Sequence, residues 1–365
     1  MTYDVVVVGA GIVGCAAAAS LAEGGARVAV FDAGPVGAGA SGRNAGLVEH
    51  PFDREQVALH AETVAILRDV LGDAMPAQPT GLLLLLEDER AAEQAVRAAA
   101  ASHPELAPEL LSPVAVEAAE PSVRPGLWGC RLQTGHPVRP AAAVGAFAEL
   151  ARAGGATIVT GTPVALLRDG DGTVRGVAAD GETHRADVVL VAAGASSSTL
   201  VDPTGRWQPV RPLWGVSVTL DSPVRPRLPL MDGQEEGGVQ TAFTLIPTPG
   251  DLVLGSTWLD DEPDGAPWAA RLLAEAAALW PAAAGAAVAD VRVCARPRSF
   301  DGRPLLGRVA GHDTLWTATG HGGRGVSTGA ATARLVAEAI LAGDDRDVPP
   351  ALRADRFAPP PPAAA

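Results

Sequence analysis

The chain opens on an unbroken β-branched run, Val5-Val6-Val7-Val8, that passes directly into Gly9-Ala10-Gly11-Ile12-Val13-Gly14 and then into alanine-rich sequence. A short run apolar at every position is the pattern of a parallel strand buried on both faces. The alanines after it suit a helix packed closely on that strand. A second strand, 27–31, ends at Asp32, eighteen positions after Gly14. Strand, glycine turn, helix and strand make a dinucleotide-binding βαβ unit. Gly9 permits the tight turn, Gly11 lets the backbone approach a pyrophosphate, and Gly14 lets the helix pack on the strand. The helix N-terminus meets the diphosphate with N–H groups and a positive dipole end. Asp32 is placed to accept from both ribose hydroxyls, and its charge disfavours a 2′-phosphate, hence NADP.

Further along, residues 34–46 carry glycine at a density that predicts neither regular helix nor strand, but a backbone wrapped around a flat ligand. Helices are predicted at 53–71, 87–102, 141–153, 268–280 and 329–341. Strands are predicted at 82–86 and 157–159, with a hairpin of 164–167 and 174–178 around Gly170-Asp171-Gly172. Residues 186–195 form a second parallel-type strand ending in a glycine turn, and 214–220, 240–246 and 251–256 alternate as antiparallel strands do. The last helix is entered through Gly320-His321-Gly322-Gly323-Arg324-Gly325, and the Pro/Ala tail from Ala358 is expected to be disordered.

The expected fold is therefore α/β. A Rossmann-like nucleotide domain is assembled from the discontinuous segments 1–78, 141–206 and 291–345. An α+β substrate domain with an antiparallel sheet comes from 79–140 and 207–290, and 346–365 is a C-terminal tail, partly disordered.

Composition narrows the function. A chain of 365 residues with 47% hydrophobic content suits two lobes. The apolar run 82–86 is far too short to span a membrane. Only Met1-Thr2-Tyr3-Asp4 precedes the first strand, so no signal peptide and a cytoplasmic location are expected. A net charge of −14 argues against nucleic acid and anionic membranes as partners. Cys15, Cys130 and Cys294 have neither metal-ligand spacing nor a disulfide pattern, and no metal is expected. The sequence holds no lysine, which excludes Schiff-base and pyridoxal-phosphate chemistry.

Over nearly its whole length the chain resembles the D-amino-acid oxidase family of FAD-dependent enzymes, the group containing glycine oxidase, sarcosine oxidase and D-amino-acid dehydrogenase. Beyond the first motif, Gly39-Ala40-Ser41-Gly42-Arg43-Asn44-Ala45-Gly46 is similar to the loop over the isoalloxazine, and 189–194 to the strand end beside the adenosine. Arg296-Pro297, Asp301-Gly302-Arg303-Pro304-Leu305-Leu306-Gly307 and the Gly320–Gly325 loop together form the most specific combination. Leu245-Ile246-Pro247 through Gly255-Ser256-Thr257 is nearest to glycine oxidase, and Ala354-Asp355-Arg356-Phe357 resembles the family's ending. Glycine loops from three distant segments suit a tricyclic flavin better than a nicotinamide. The resemblance implies that FAD is held by Gly9, Gly11, Ile12, Val13, Gly14, Asp32, Ala33, Ser41, Gly42, Arg43, Asn44, Ala45, Gly46, Val164, Ala193, Gly194, Arg296, Gly322, Gly323, Arg324, Gly325, Val326 and Ser327. It further implies oxidation of the C–N bond of a small amino acid or amine by hydride transfer to flavin, giving an imine that water hydrolyses. Arg296 would pair with the substrate carboxylate, and O2 or another acceptor would take the electrons.

Several positions depart from the family. The substrate-covering tyrosines are missing, and Trp207, Trp214, Trp258 and Trp268 are alternative pocket residues or core. The lysine that sarcosine oxidases hold over the flavin is also missing, which leaves a dehydrogenase open. Arg324 and His321 are then the nearest cations by sequence. A hydroxylase-type flavoprotein and a non-catalytic nucleotide-binding protein are the other readings. Cys294 matches the position of the flavin-tethering cysteine of monomeric sarcosine oxidase, while glycine oxidases bind FAD non-covalently; non-covalent binding is expected here, with the tether as alternative. Glu49 and His50 leave the flavin loop towards the expected pocket, either as substrate contacts or as loop residues. An acid at 49 would suit the ammonium group of a diamine or basic amino acid.

Overall fold

In the computed structural model, which describes residues 2–232 and 240–357, the valine run lies inside an eight-stranded sheet. Its main path is Leu305–Arg308, Leu315–Thr319, Glu182–Val191, Thr2–Val8, Val28–Phe31, Thr157–Val159, and all neighbours after the first pair are parallel. The run is apolar at every position because both faces are covered. Val5 and Val7 pack with the helices Ile12–Glu23, Pro140–Ala153 and Gly325–Ala342, while Val6 and Val8 enter a second core with Val177, Val189 and Trp207. The hairpin Val164–Arg168 and Val174–Ala179 adds to Glu182–Val191 in antiparallel fashion.

The second eight-stranded sheet runs Ala287–Ser299, Val210–Asp221, Leu252–Thr257, Thr241–Pro247, Leu230–Met231, Leu82–Leu86, Trp128–Leu132, Glu109–Leu111. The helix Gly265–Ala276 covers it, burying Leu272 and Ala276 with Trp280. The boundary expected between 290 and 291 falls inside the strand Ala287–Ser299, which pairs with Val210–Asp221 from end to end. Residues 291–299 thus belong to the antiparallel sheet, where they pair with 210–218.

Other differences are local. The 34–46 segment contains one helical turn, Ala40–Arg43. Asn44 closes it, since its Nδ2 donates to the carbonyls of Ala40 and Ser41 and its Oδ1 accepts from Gly46 N–H. The last helix begins at Gly325, four residues before its predicted start. Helix Gly265–Ala276 begins early because Asp264 caps it, accepting from Ala266 N–H at 3.2 Å. Of the expected tail, residues 346–357 fold back onto the first sheet: Leu306 N–H donates to Leu352 O, and Arg356 forks onto Asp301 at 2.8 and 3.0 Å. Residues 358–365 lie outside the described residues. Among those described, no helix is long and apolar enough to cross a membrane.

Leu352 is fully buried where this return segment meets the sheet. Leu352→Ala should cost about 2–5 kcal/mol of stability through lost burial and a cavity. Urea unfolding measures it, and a loss below ~0.5 kcal/mol would show that the segment is not part of the core.

Candidate active site

The carboxyl ends of the parallel strands open into a cavity of ≈ 1200 Å³ whose far wall is the antiparallel sheet. Open α/β sheets bind ligands at those ends. The volume exceeds the roughly 300–1,000 Å³ of a drug-sized pocket. At the parallel ends the backbone is packed too tightly for side chains. A Cβ on Gly9 would sit 2.4 Å from Ala192 O, at φ +115°, and one on Gly11 3.0 Å from Ser41 Oγ. Ser41 Oγ accepts from Ile12 N–H at 3.1 Å, which ties the 34–46 segment to the helix start. Asp32 accepts from Ala10 N–H and Gly34 N–H, one on each oxygen, so its carboxylate first organises the two glycine turns and presents only its remaining lone pairs to the cavity.

Most of the predicted residues converge here. Gly9, Gly11, Ile12, Val13, Asp32, Ala33, Ser41, Arg43, Asn44, Ala45, Gly46, Val164, Ala193, Gly194, Gly322, Gly323, Arg324, Gly325 and Val326 line the cavity, together with Glu49, Cys294 and Arg296. This bare, glycine-walled trough leading to a mixed polar and aromatic end fits an extended dinucleotide with a flat ring system. Gly14, Gly42, Ser327 and His50 do not line it. Gly14 and Gly42 are packing glycines, whose added Cβ would fall 1.9 Å from Gly9 O and 2.4 Å from Gly37 O. Ser327 is buried and its Oγ accepts from Glu49 N–H at 3.0 Å. Of the four candidate tryptophans, Trp214 and Trp258 line the cavity; Trp207 is core, and Trp268 packs at the edge of the antiparallel sheet's core with Leu272 and Trp280. Thr162, Leu200, Met231 and Phe243 also line it and carry no sequence signal, being ordinary residues brought in by the sheets.

Arg296 stands on Ala287–Ser299 opposite Leu213, and its guanidinium lies across Gly215, where a Cβ would meet Cζ and both Nη atoms at 2.5 Å. Nη1 donates to Thr257 O at 2.7 Å and Nη2 to Ser256 Oγ at 3.0 Å, with Cζ 5.3 Å from the Trp258 ring centroid. Backbone, hydroxyl and indole therefore hold the plane of the fork.

The two remaining charged candidates meet each other. Arg324 Nη1 pairs with Glu49 Oε1, both largely buried, with the guanidinium over the Phe52 ring. Glu49 does not await an ammonium group and Arg324 is not an isolated cation. His321 is fully buried, with Nε2 2.9 Å from Thr332 Oγ1, and desolvation pushes its pKa down to about 4. It is neutral at physiological pH and supplies no charge either. His50, expected towards the pocket, is buried instead among the rings of His60, His103 and Phe52, where desolvation lowers its pKa. Its backbone N–H is held by Thr134 Oγ1. Cys294 does line the cavity, but burial raises its thiol pKa, outweighing Arg296, Arg43 and Arg292, so the reactive thiolate is disfavoured.

A family model described as FAD dependent oxidoreductase matches residues 4–339. The chain is similar to glycine oxidase of Pseudomonas aeruginosa, 30% identical, covering 96% of this chain and 98% of that protein. It is also similar to glycine oxidase of Bacillus licheniformis, 27% identical over 93% of each. The crystal structure of glycine oxidase from Geobacillus kaustophilus superposes with a TM-score of 0.83 at 25% identity, covering 98% of this chain and 99% of that one.

The buried histidines make stability depend on pH. His321 has a folded pKa of about 4 against 6.5 ordinarily, so below pH 6.5 the unfolded chain binds more protons than the folded one. Its contribution is complete above about pH 7 and is lost as pH falls towards 4. His60, also lowered to about 4 by burial, acts in the same direction. From pH 7.5 to pH 5, His321 alone should remove about 2 kcal/mol. Urea unfolding at both values should show a smaller pH difference in His321→Gln; an undiminished difference would mean that the ring is not buried neutral.

Proposed function

The chain belongs to the family of FAD-dependent oxidoreductases, and from that premise we propose that it oxidises the C–N bond of a small amino acid or amine, with Arg296 binding the substrate carboxylate. The observation that carries this reading is the guanidinium of Arg296, held flat across Gly215 in the wall of the cavity that the glycine turns also line. The Gly9–Gly14 turn, Asp32, the 41–46 loop, Val164, Ala193-Gly194 and Gly322 to Val326 would hold the FAD. When bound, that group supplies the two-electron acceptor for the C–H bond beside nitrogen. The chain's own task is positioning. A planar fork meets a carboxylate through two parallel N–H donors and fixes the rotation of the α-carbon, which a point charge would leave free. Trp258 lies beside it, and with Trp214 and Phe243, which line the same cavity, would exclude water from the reacting carbon. Loss of a hydride from the α-carbon and a proton from the nitrogen would turn the C–N bond into the C=N of an imine, and water would then hydrolyse it to the carbonyl compound and free ammonia or amine. The pairing of Glu49 with Arg324 removes the reason to favour a diamine or basic amino acid.

Purified protein should carry one FAD per chain, and a colourless protein that takes up none would sink this reading. Arg296→Ala should raise KM for a carboxylate substrate by about two to three powers of ten, since a lost charge-assisted pair costs ~3–4 kcal/mol. A panel of amino acids and amines tested by anaerobic flavin bleaching identifies the substrate without presupposing the acceptor. Bleaching by NADPH alone would instead point to a hydroxylase.

A dehydrogenase is the second reading. It is favoured by the lack of lysine, the neutral His321 and the cancelled charge of Arg324. Turnover with oxygen should be slow beside turnover with an artificial acceptor, and acid precipitation should release the flavin because Cys294 is held as a buried thiol. Rapid peroxide formation in air contradicts the first expectation. Flavin retained by the denatured chain, but released from Cys294→Ser, contradicts the second.

A further inference from the structure

We propose that His50, His103 and Glu105 form a zinc-type divalent-cation site at the rim of the cavity. Each offers one ligand atom, and these atoms all lie within 4.8 Å of one another. Glu105 Oε1 is 3.3 Å from His50 Nε2 and 3.1 Å from a nitrogen of His103, Nδ1. Tetrahedral bonds of ~2.0–2.1 Å place ligand atoms roughly 3.3–3.5 Å apart. The set is already close to closing around an ion.

A buried side chain without partners asks for a ligand there. The His50 side chain is only 7% exposed, yet neither ring nitrogen has a hydrogen-bond partner among the protein's groups, and its Nε2 faces Glu105 without hydrogen-bond geometry. An orphaned buried polar atom is costly, and a ligand would satisfy it. His103, 2% exposed, has acceptor oxygens against both nitrogens: Phe52 O lies 3.0 Å from Nε2, and Glu105 Oε1 faces Nδ1. With Nε2 donating to the carbonyl, Nδ1 and the carboxylate oxygen can both turn to one cation between them. The Phe52 carbonyl is then the outer partner that orients a ligating imidazole.

The donor set selects the ion. Two imidazoles and one carboxylate suit zinc, whereas magnesium and calcium prefer all-oxygen sites. Glu105 is half exposed, which gives an entry path and room for a water as fourth ligand. The ion would join two segments distant in sequence. His50 follows the strand Leu47–Val48, and His103 caps the helix Glu89–Ser102. Phe52 and His103 both line the cavity, so the clamp would steady the wall against which the Glu49–Arg324 pair rests.

The test is titration of tag-free, FAD-loaded protein with zinc chloride in a non-chelating buffer, followed by calorimetry and melting temperature. One saturable site per chain and a raised melting temperature are expected. Affinity should fall at least about tenfold in Glu105→Gln and in His50→Gln, and stay unchanged in His312→Gln. Glu105 is a surface carboxylate, so its variant carries the test even if His50→Gln fails to fold, as circular dichroism and flavin absorbance would report. X-ray absorption of the zinc complex should show nitrogen and oxygen ligands without sulfur. No saturable uptake, uptake indifferent to Glu105→Gln, or equal competition by magnesium would overturn the proposal. None of these outcomes depends on which substrate is oxidised.

Discussion

The molecule is organised around backbone-to-backbone contact where three glycine-bearing turns meet. Gly14 brings the first helix so close that a single methyl group would fall 1.9 Å from Gly9 O, and Gly9 in turn presses on Ala192 O, the end of the neighbouring parallel strand. These approaches set the distance between helix and sheet, and with it the width of the trough at the strand ends. Widening either contact by one side chain would displace Gly11, Ile12 and Asp32 together, because Asp32 is bonded to Ala10 and Ser41 to Ile12. The ligand site and the core are thus a single packing problem.

Legibility in the sequence follows from this. Where chemistry acts through backbone shape, glycine spacing announces it, and the first βαβ unit, the 34–46 segment and the 320–325 loop could be placed directly. Arg296 is singled out by the family resemblance of Arg296-Pro297, and its carboxylate-binding role is a proposal. What could not be read were relations between segments far apart. Nothing local shows that Glu49 and Arg324, 275 positions apart, neutralise each other, or that His50 turns away from the cavity towards His103. Burial of His321 against Thr332 is likewise a consequence of how the last helix docks, and composition gives no sign of it. The strand Ala287–Ser299 crossed the expected domain boundary because its length is dictated by its partner Val210–Asp221.

Removing isolated cations from the cavity leaves a question of electrostatics that the last helix answers. An anionic ligand, or negative charge developing on one, needs compensation in a site walled by apolar groups. Arg324 cannot give it in full, since its charge is shared with Glu49. His321 is neutral, and Arg296 stands across the cavity on the other sheet. Besides Arg43, which lines the cavity and donates to Val293 O, the N-terminus of Gly325–Ala342 contributes, since its first residues Gly325 and Val326 line the cavity. An 18-residue helix presents roughly half a positive charge there through aligned peptide dipoles. That charge is fixed in place and costs no reorganisation. It is also diffuse, unlike an ammonium group, and so stabilises charge spread over a ring better than charge concentrated on a small molecule such as superoxide. On the dehydrogenase reading, the same substitution of dipole for ion would let a lysine-free chain keep the cavity suited to taking up electrons while reacting slowly with oxygen.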